Sequence, residues 1–147
     1  LPEDDRYHYP KSYLMNRLSV VLGGRVAERQ VFGDVSTGAQ NDLKEATYLA
    51  EKMVAQWGMS DKVGPLNLGR GEEHPFLGRE LAQPKRYSEE MAWLMDQEIR
   101  RLLTDAESRA EEILKKNRGA LDSLAEALIK EEVLERNDVE RIIKESK

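Results

Sequence analysis

The stretch SEEMAWLMDQEIRRLLTDAESRAEEILKK, residues 88–116, decides the fold. Met91, Met95, Ile99, Leu102, Ala106, Ala110 and Ile113 advance in steps of four or three. That spacing draws one apolar seam along a helix of about eight turns. Ser88 stands where an N-cap belongs, and Glu89 and Glu90 suit the positive end of the helix dipole. A seam of that length needs partner helices to cover it.

The partners lie upstream. A second helix is predicted from Thr37 to Trp57, with Thr37 and Gln40 at capping-box spacing and Gly58 as its left-handed terminator. Its buried stripe is read as Leu43, Ala46, Ala50, Met53, Val54 and Trp57. A first helix is predicted from Ser12, as N-cap, to Gln30, with Leu14, Leu18, Val21, Leu22 and Val26 at helical spacing. Gly23-Gly24 interrupts it at a cost of roughly 1 kcal/mol per glycine relative to alanine. The simplest compensation is another backbone pressing close there.

Downstream, Leu121, Leu124, Leu128 and Ile129 mark a shorter helix. Val139, Ile142 and Ile143 mark a last one that begins at Asn137, three residues before Glu140. Between the second and third helices, Met59 to Tyr87 loses helical periodicity and is punctuated by glycine and proline. Val63–Leu68 and Pro75-Phe76-Leu77 are candidate short strands. The fold class is therefore mainly α, one domain, with a glycine-rich loop or small hairpin inserted between the second and third helices.

Composition excludes several function classes. The 147 residues carry a net charge of −5, and that excess lies from Ser88 onward, which argues against a general nucleic-acid or membrane-surface binder. There is no cysteine, hence no disulfide, no thiol nucleophile and no Cys-based zinc site. No apolar run approaches the length of a membrane span, and the opening Leu1-Pro2-Glu3-Asp4-Asp5-Arg6-Tyr7 is neither a signal peptide nor led by methionine. A polar loop at the start suggests a fragment.

Few residues are placed for chemistry. The two histidines, His8 and His74, belong to no metal-binding spacing. No H-E-x-x-H, phosphate-binding glycine loop or serine elbow occurs, so no active site is complete in these residues. Two carboxylates stand out by position. Asp42 falls on the flank of the second helix's apolar stripe, in an early turn where the helix end favours negative charge. It reads either as a metal ligand or as a supplement to the cap. Glu28 lies in line with Val21 and Leu14 on the first helix, with Arg25 three residues before it, and an internal Arg25–Glu28 pair is the plainer reading.

Taken together, Leu1–Tyr7, Leu22-Gly23-Gly24-Arg25-Val26-Ala27-Glu28, Val31-Phe32-Gly33, Ser36-Thr37-Gly38-Ala39-Gln40-Asn41-Asp42-Leu43, Gly58-Met59-Ser60, Phe76-Leu77-Gly78-Arg79 and Tyr87-Ser88-Glu89-Glu90 resemble the FtsH-type AAA+ zinc metalloproteases. The seven runs fall in the family's order and span essentially the whole chain. The resemblance implies a C-terminal part of a zinc peptidase domain over residues 1–147, with the H-E-x-x-H helix and the ATPase module upstream of Leu1. It makes Asp42 the third zinc ligand and gives Glu28 a supporting role behind the ligands. It further implies ATP and magnesium for the parent protein, unfolded, misassembled or short-lived proteins as substrates, a homo-hexamer, and a membrane anchor outside these residues. A bacterial inner membrane with the peptidase on the cytoplasmic side is the expected location; a mitochondrial or chloroplast membrane is the alternative. The glycine-rich stretch from Met59 to Tyr87 would lie beside the substrate groove. By itself the chain is expected to be inactive, and a non-catalytic helical oligomerisation module is the rival reading.

Overall fold

The computed structural model describes residues 8–69, 87–131 and 133–147. Among them the chain is mainly helical: α1 is Lys11–Phe32, α2 Gln40–Ala55, α3 Glu89–Lys116, α4 Arg118–Glu131 and α5 Arg136–Glu145, with a 3-10 turn at Thr37–Ala39 and no strand. The core sits where α1, α2 and α3 meet. Leu14, Leu18 and Leu22 of α1 close on Ala46, Leu49 and Met53 of α2 and on Met95, Leu102 and Ala106 of α3. Each large side chain among them contributes about 1.5–3 kcal/mol on leaving water.

The seam of α3 is the one its spacing predicts, except that Ile113 is exposed and Glu98 is buried with the apolar residues. Ser88 caps α3, its Oγ accepting from Met91 N at 3.1 Å. Gly58 adopts φ 62, the left-handed conformation expected of a terminator. Its backbone is followed by a closed loop in which Val63 enters the core, and Leu68 N and Gly69 N both donate to the Ala55 carbonyl (2.6 and 2.9 Å). The loop thus returns to where it left α2. Val63–Leu68 forms no strand: Val63 N and Gly64 N bond to Ser60, Leu66 N to the Gly64 carbonyl, and only Leu68 N reaches the helix end. Pro75-Phe76-Leu77, and with it the expected hairpin, lies outside the described residues.

Other local expectations are corrected. The first helix starts at Lys11, not after Ser12: Pro10 is its N-cap with no side-chain bond, and Leu14 N reaches the Pro10 carbonyl at 3.2 Å. A fixed proline φ in extended backbone serves the entry without a capping hydroxyl. Thr37 and Gln40 form no capping box. Ser36 caps the 3-10 turn by accepting from Gly38 N, and α2 follows from Ala39 without a side-chain cap. Leu49 joins the buried stripe, whereas Leu43 and Trp57, within the same arc but at the first turn and past the last, stand 41% and 44% exposed. The last helix begins at Arg136, capped by Glu135 reciprocally with Asp138 rather than by Asn137 with Glu140. No atom lies within 4 Å of a Cβ built at Gly23 or Gly24, so no described backbone presses on them.

The α4–α5 pair is attached at one corner. Arg118 Nη1 donates to the Gln30 carbonyl at 3.1 Å, and Ser146 Oγ meets Ser123 Oγ at 3.3 Å between the two helices. Ala120 is the one described residue of the pair that is fully buried.

Candidate functional site

Asp42 occupies the first turn of α2, half-buried, where the 3-10 turn delivers the chain into the helix. Its carboxylate forms no hydrogen bond or ion pair with any described residue. It therefore does not act as a cap: Ser36 has that task, one turn earlier. What remains is a carboxylate at the positive end of a helix with its oxygens unengaged, able to take a cation or a donor.

Glu28 is likewise half-buried on α1 and without a bonded partner among the described residues. The expected pair with Arg25 does not form. Arg25 Nη1 instead meets Glu107 Oε2 of α3 at 2.5 Å, and Arg29 Nη1 takes Glu107 Oε1 at 2.8 Å. A guanidinium between packed helices gains more from a carboxylate facing it across the interface than from one beside it on its own helix. That bond holds the Arg29 guanidinium above its usual range.

No bond joins Asp42 to Glu28, and among the described residues no three His, Asp or Glu side chains converge as a metal would require. His8 is exposed in the lead-in to α1, and His74 lies outside the described residues. One polar cluster escaped the sequence reading. Glu98 is 1% exposed in the α3 seam and accepts from Ser60 Oγ at 2.6 Å and from Arg101 Nε at 2.8 Å. Ser60 Oγ in turn accepts from Val63 N at 3.2 Å. The Arg101 guanidinium, and after it the Ser60 hydroxyl, hold the Glu98 carboxyl down at about 2 against the opposing effect of burial. The signal for Glu98 was its place in the apolar seam, three residues before an arginine.

Residues 1–142 match the profile of peptidase family M41. The chain belongs to that family. An ATP-dependent zinc metalloprotease FtsH of Pelobacter propionicus is 63% identical over 143 residues, covering 97% of this chain and 23% of its own length. The FtsH of Nitrosococcus oceani is 52% identical over 146 residues (99% and 23%), and that of Thermotoga maritima 43% over 145 residues (99% and 24%). The chain thus spans about a quarter of the length of these relatives. The M41 assignment bears out the FtsH-type resemblance read from the seven sequence runs. No helix among the described residues is long and apolar enough to cross a membrane.

Proposed function

We propose that residues 1–147 form the C-terminal part of a zinc metallopeptidase domain in an ATP-dependent endopeptidase, with Asp42 as one ligand of the zinc. The observation that carries the proposal is Asp42 itself. It ends the Thr37-Gly38-Ala39-Gln40-Asn41-Asp42 run on which the family resemblance places a ligand, and its carboxylate is half-buried and unclaimed by any described neighbour. A single carboxylate fits one position of a site that takes three protein ligands and leaves a fourth for water. The remaining two would come from an H-E-x-x-H helix outside these residues. When bound, zinc supplies Lewis-acid activation of that water.

The chain's own contribution is placement. The 3-10 turn and the Ser36 cap set where α2 begins, and the rigid helix then fixes Asp42 relative to the core. Glu28 acts behind the ligands, orienting a ligand or the activated water's surroundings without holding metal. The parent protein would hydrolyse ATP with magnesium, assemble as a homo-hexamer, and be held to a membrane by other segments. The bacterial inner membrane, with the peptidase on its cytoplasmic side, fits the organisms of the relatives best. Its substrates would be unfolded, misassembled or short-lived membrane and cytoplasmic proteins, and nucleic acid has no place in the scheme.

The test is Asp42→Asn in the parent enzyme, an isosteric change that removes the charge opposing zinc. Casein degradation should fall by more than about 100-fold with loss of zinc, while ATP hydrolysis and assembly persist. Glu28→Gln should lose activity only in the range of about 10–100-fold usual for an outer partner. Full zinc and full activity in Asp42→Asn, with both lost in Glu28→Gln, would move the ligand to Glu28. A second reading, a non-catalytic helical interaction module, is favoured for the 147-residue chain alone by the lack of three converging ligands among its described residues. One carboxylate should give that chain no zinc affinity tighter than roughly micromolar. Sub-micromolar binding in calorimetry that vanishes on replacing His8 and His74 would show a second set of ligands.

A further inference from the structure

Residues 58–69 leave α2 and come straight back to it. Leu68 N and Gly69 N bond to the Ala55 carbonyl and Met59 N to the Met53 carbonyl, so both ends of the loop are pinned to one helix end. The body between is bonded to itself. Val63 N donates to Ser60 Oγ at 3.2 Å, Gly64 N to the Ser60 carbonyl at 2.8 Å and Leu66 N to the Gly64 carbonyl at 2.9 Å. Pro65 folds back on Gly58, where a Cβ would lie 3.2 Å from the Pro65 Cα. A loop with joined ends and its own bonds is a compact body on a narrow neck. Two side chains of that body are buried: Val63, 4% exposed, and Ser60, 1% exposed.

Ser60 Oγ donates to Glu98 Oε1 at 2.6 Å, a polar tie between this body and α3. Withdrawing a partner from a buried carboxylate ordinarily strands its charge. Glu98 is spared that penalty. Arg101, three residues on in the same helix, holds Oε2 from Nε at 2.8 Å and Oε1 from Nη2 at 3.2 Å, independently of the loop. Its side chain is 43% exposed, so water completes the pair once the hydroxyl leaves. The tie breaks without orphaning the carboxylate.

We propose that residues 58–69 are a strap that lifts off α3 as one piece, hinged at its neck on the end of α2 and latched by the Ser60–Glu98 bond, while the three-helix core stays folded. Lifting withdraws Val63 from its seat in the core and leaves the strap's internal bonds and the Glu98–Arg101 pair intact. The strap needs neither metal nor nucleotide, so its fate is separate from that of the proposed peptidase.

Thiol labelling tests this on the 147-residue chain, which has no cysteine of its own. Val63→Cys is compared with Val26→Cys, the same change at a 0% exposed position on α1, using a slow reagent at urea concentrations below the unfolding midpoint. Without urea, the Val63→Cys thiol should react at least ~100-fold faster than the Val26→Cys thiol. Its rate should also depend far less on urea, because lifting exposes little surface. Adding Ser60→Ala should raise the Val63→Cys rate by about ten- to a hundredfold, the strength of a hydrogen bond to a charged group. Should Val63→Cys not fold, Met59→Cys, partly buried on the same strap, takes its place. Equal rates and equal urea slopes at the two positions would show that Val63 leaves only with global unfolding, and would overturn the strap. An unchanged rate after Ser60→Ala would overturn the latch.

Discussion

Glu98 gives up nearly all its hydration to hold a hydroxyl on one side and a guanidinium on the other. Stability from that arrangement has a definite pH signature. The folded carboxyl titrates near 2, below its usual 4.5, so its contribution is complete above the usual value and is lost as pH falls from about 4.5 through 2. Arg101 is 43% exposed on its side chain, and screening there keeps the contribution on the order of 1–2 kcal/mol. Urea midpoints measured from pH 6 to pH 2 should therefore drop more steeply for the wild type than for Glu98→Gln. Parallel profiles would mean that the carboxylate's charge contributes nothing. Glu98→Ala is a harsher change, expected to cost about 3 kcal/mol or more, because Arg101 and Ser60 then lose their shared partner. At this scale the sequence was least legible. Asp42 and Glu28 drew notice as carboxylates near apolar stripes, yet the deeply buried acid is Glu98, hidden because a period-3.6 reading counts only apolar residues. Arg25 was visible as a pairing residue, but its partner is 82 positions away, where no local spacing rule reaches.

The elements were legible in kind and less so at their ends. All five described helices lie where periodicity puts them, and the α3 seam gains Glu98 and loses Ile113. Their starts depended on capping contests between near-equal candidates: Pro10 over Ser12, Ser36 over Thr37, Glu135 over Asn137. Position along α2 has an energetic consequence as well. Leu49, in the middle of α2, is 2% exposed, while Leu43, in its first turn, is 41% exposed. Leu49→Ala should cost about 2–5 kcal/mol of unfolding free energy. Leu43→Ala should cost under about 1 kcal/mol in the isolated chain. Chemical denaturation of the two variants checks this, and a larger loss at Leu43 would contradict its exposed place at the end of α2.

At the scale of the whole molecule, stability is distributed unevenly. α1, α2 and α3 share a contiguous core with ion pairs across it, whereas α4 and α5 bury a single described residue completely and leave Leu128, Ile129 and Val133 exposed around them. Amides of α4 and α5 should exchange by local opening, well before those around Leu18, Met53 and Leu102. Hydrogen exchange read by mass spectrometry checks this; equal protection throughout would show one cooperative unit. The split was half-visible in the sequence. The leucines of the fourth helix marked it as a helix, but how far they are covered depends on partner supply, which is a property of three-dimensional placement.

The two mid-helix glycines of α1 set a trap for protein engineering. No described atom would resist a methyl group at Gly24, and alanine there should stiffen the helix by about 1 kcal/mol, read as a higher melting temperature of the short chain. Gly69 offers no such freedom, since a Cβ there would run into the Gln56 side chain. A thermal screen run on these 147 residues alone would therefore select Gly24→Ala as an improvement. In a longer protein the same methyl is a gain only where no further segment approaches Gly24 closely, so a variant chosen on the short chain has to earn its place a second time in the long one.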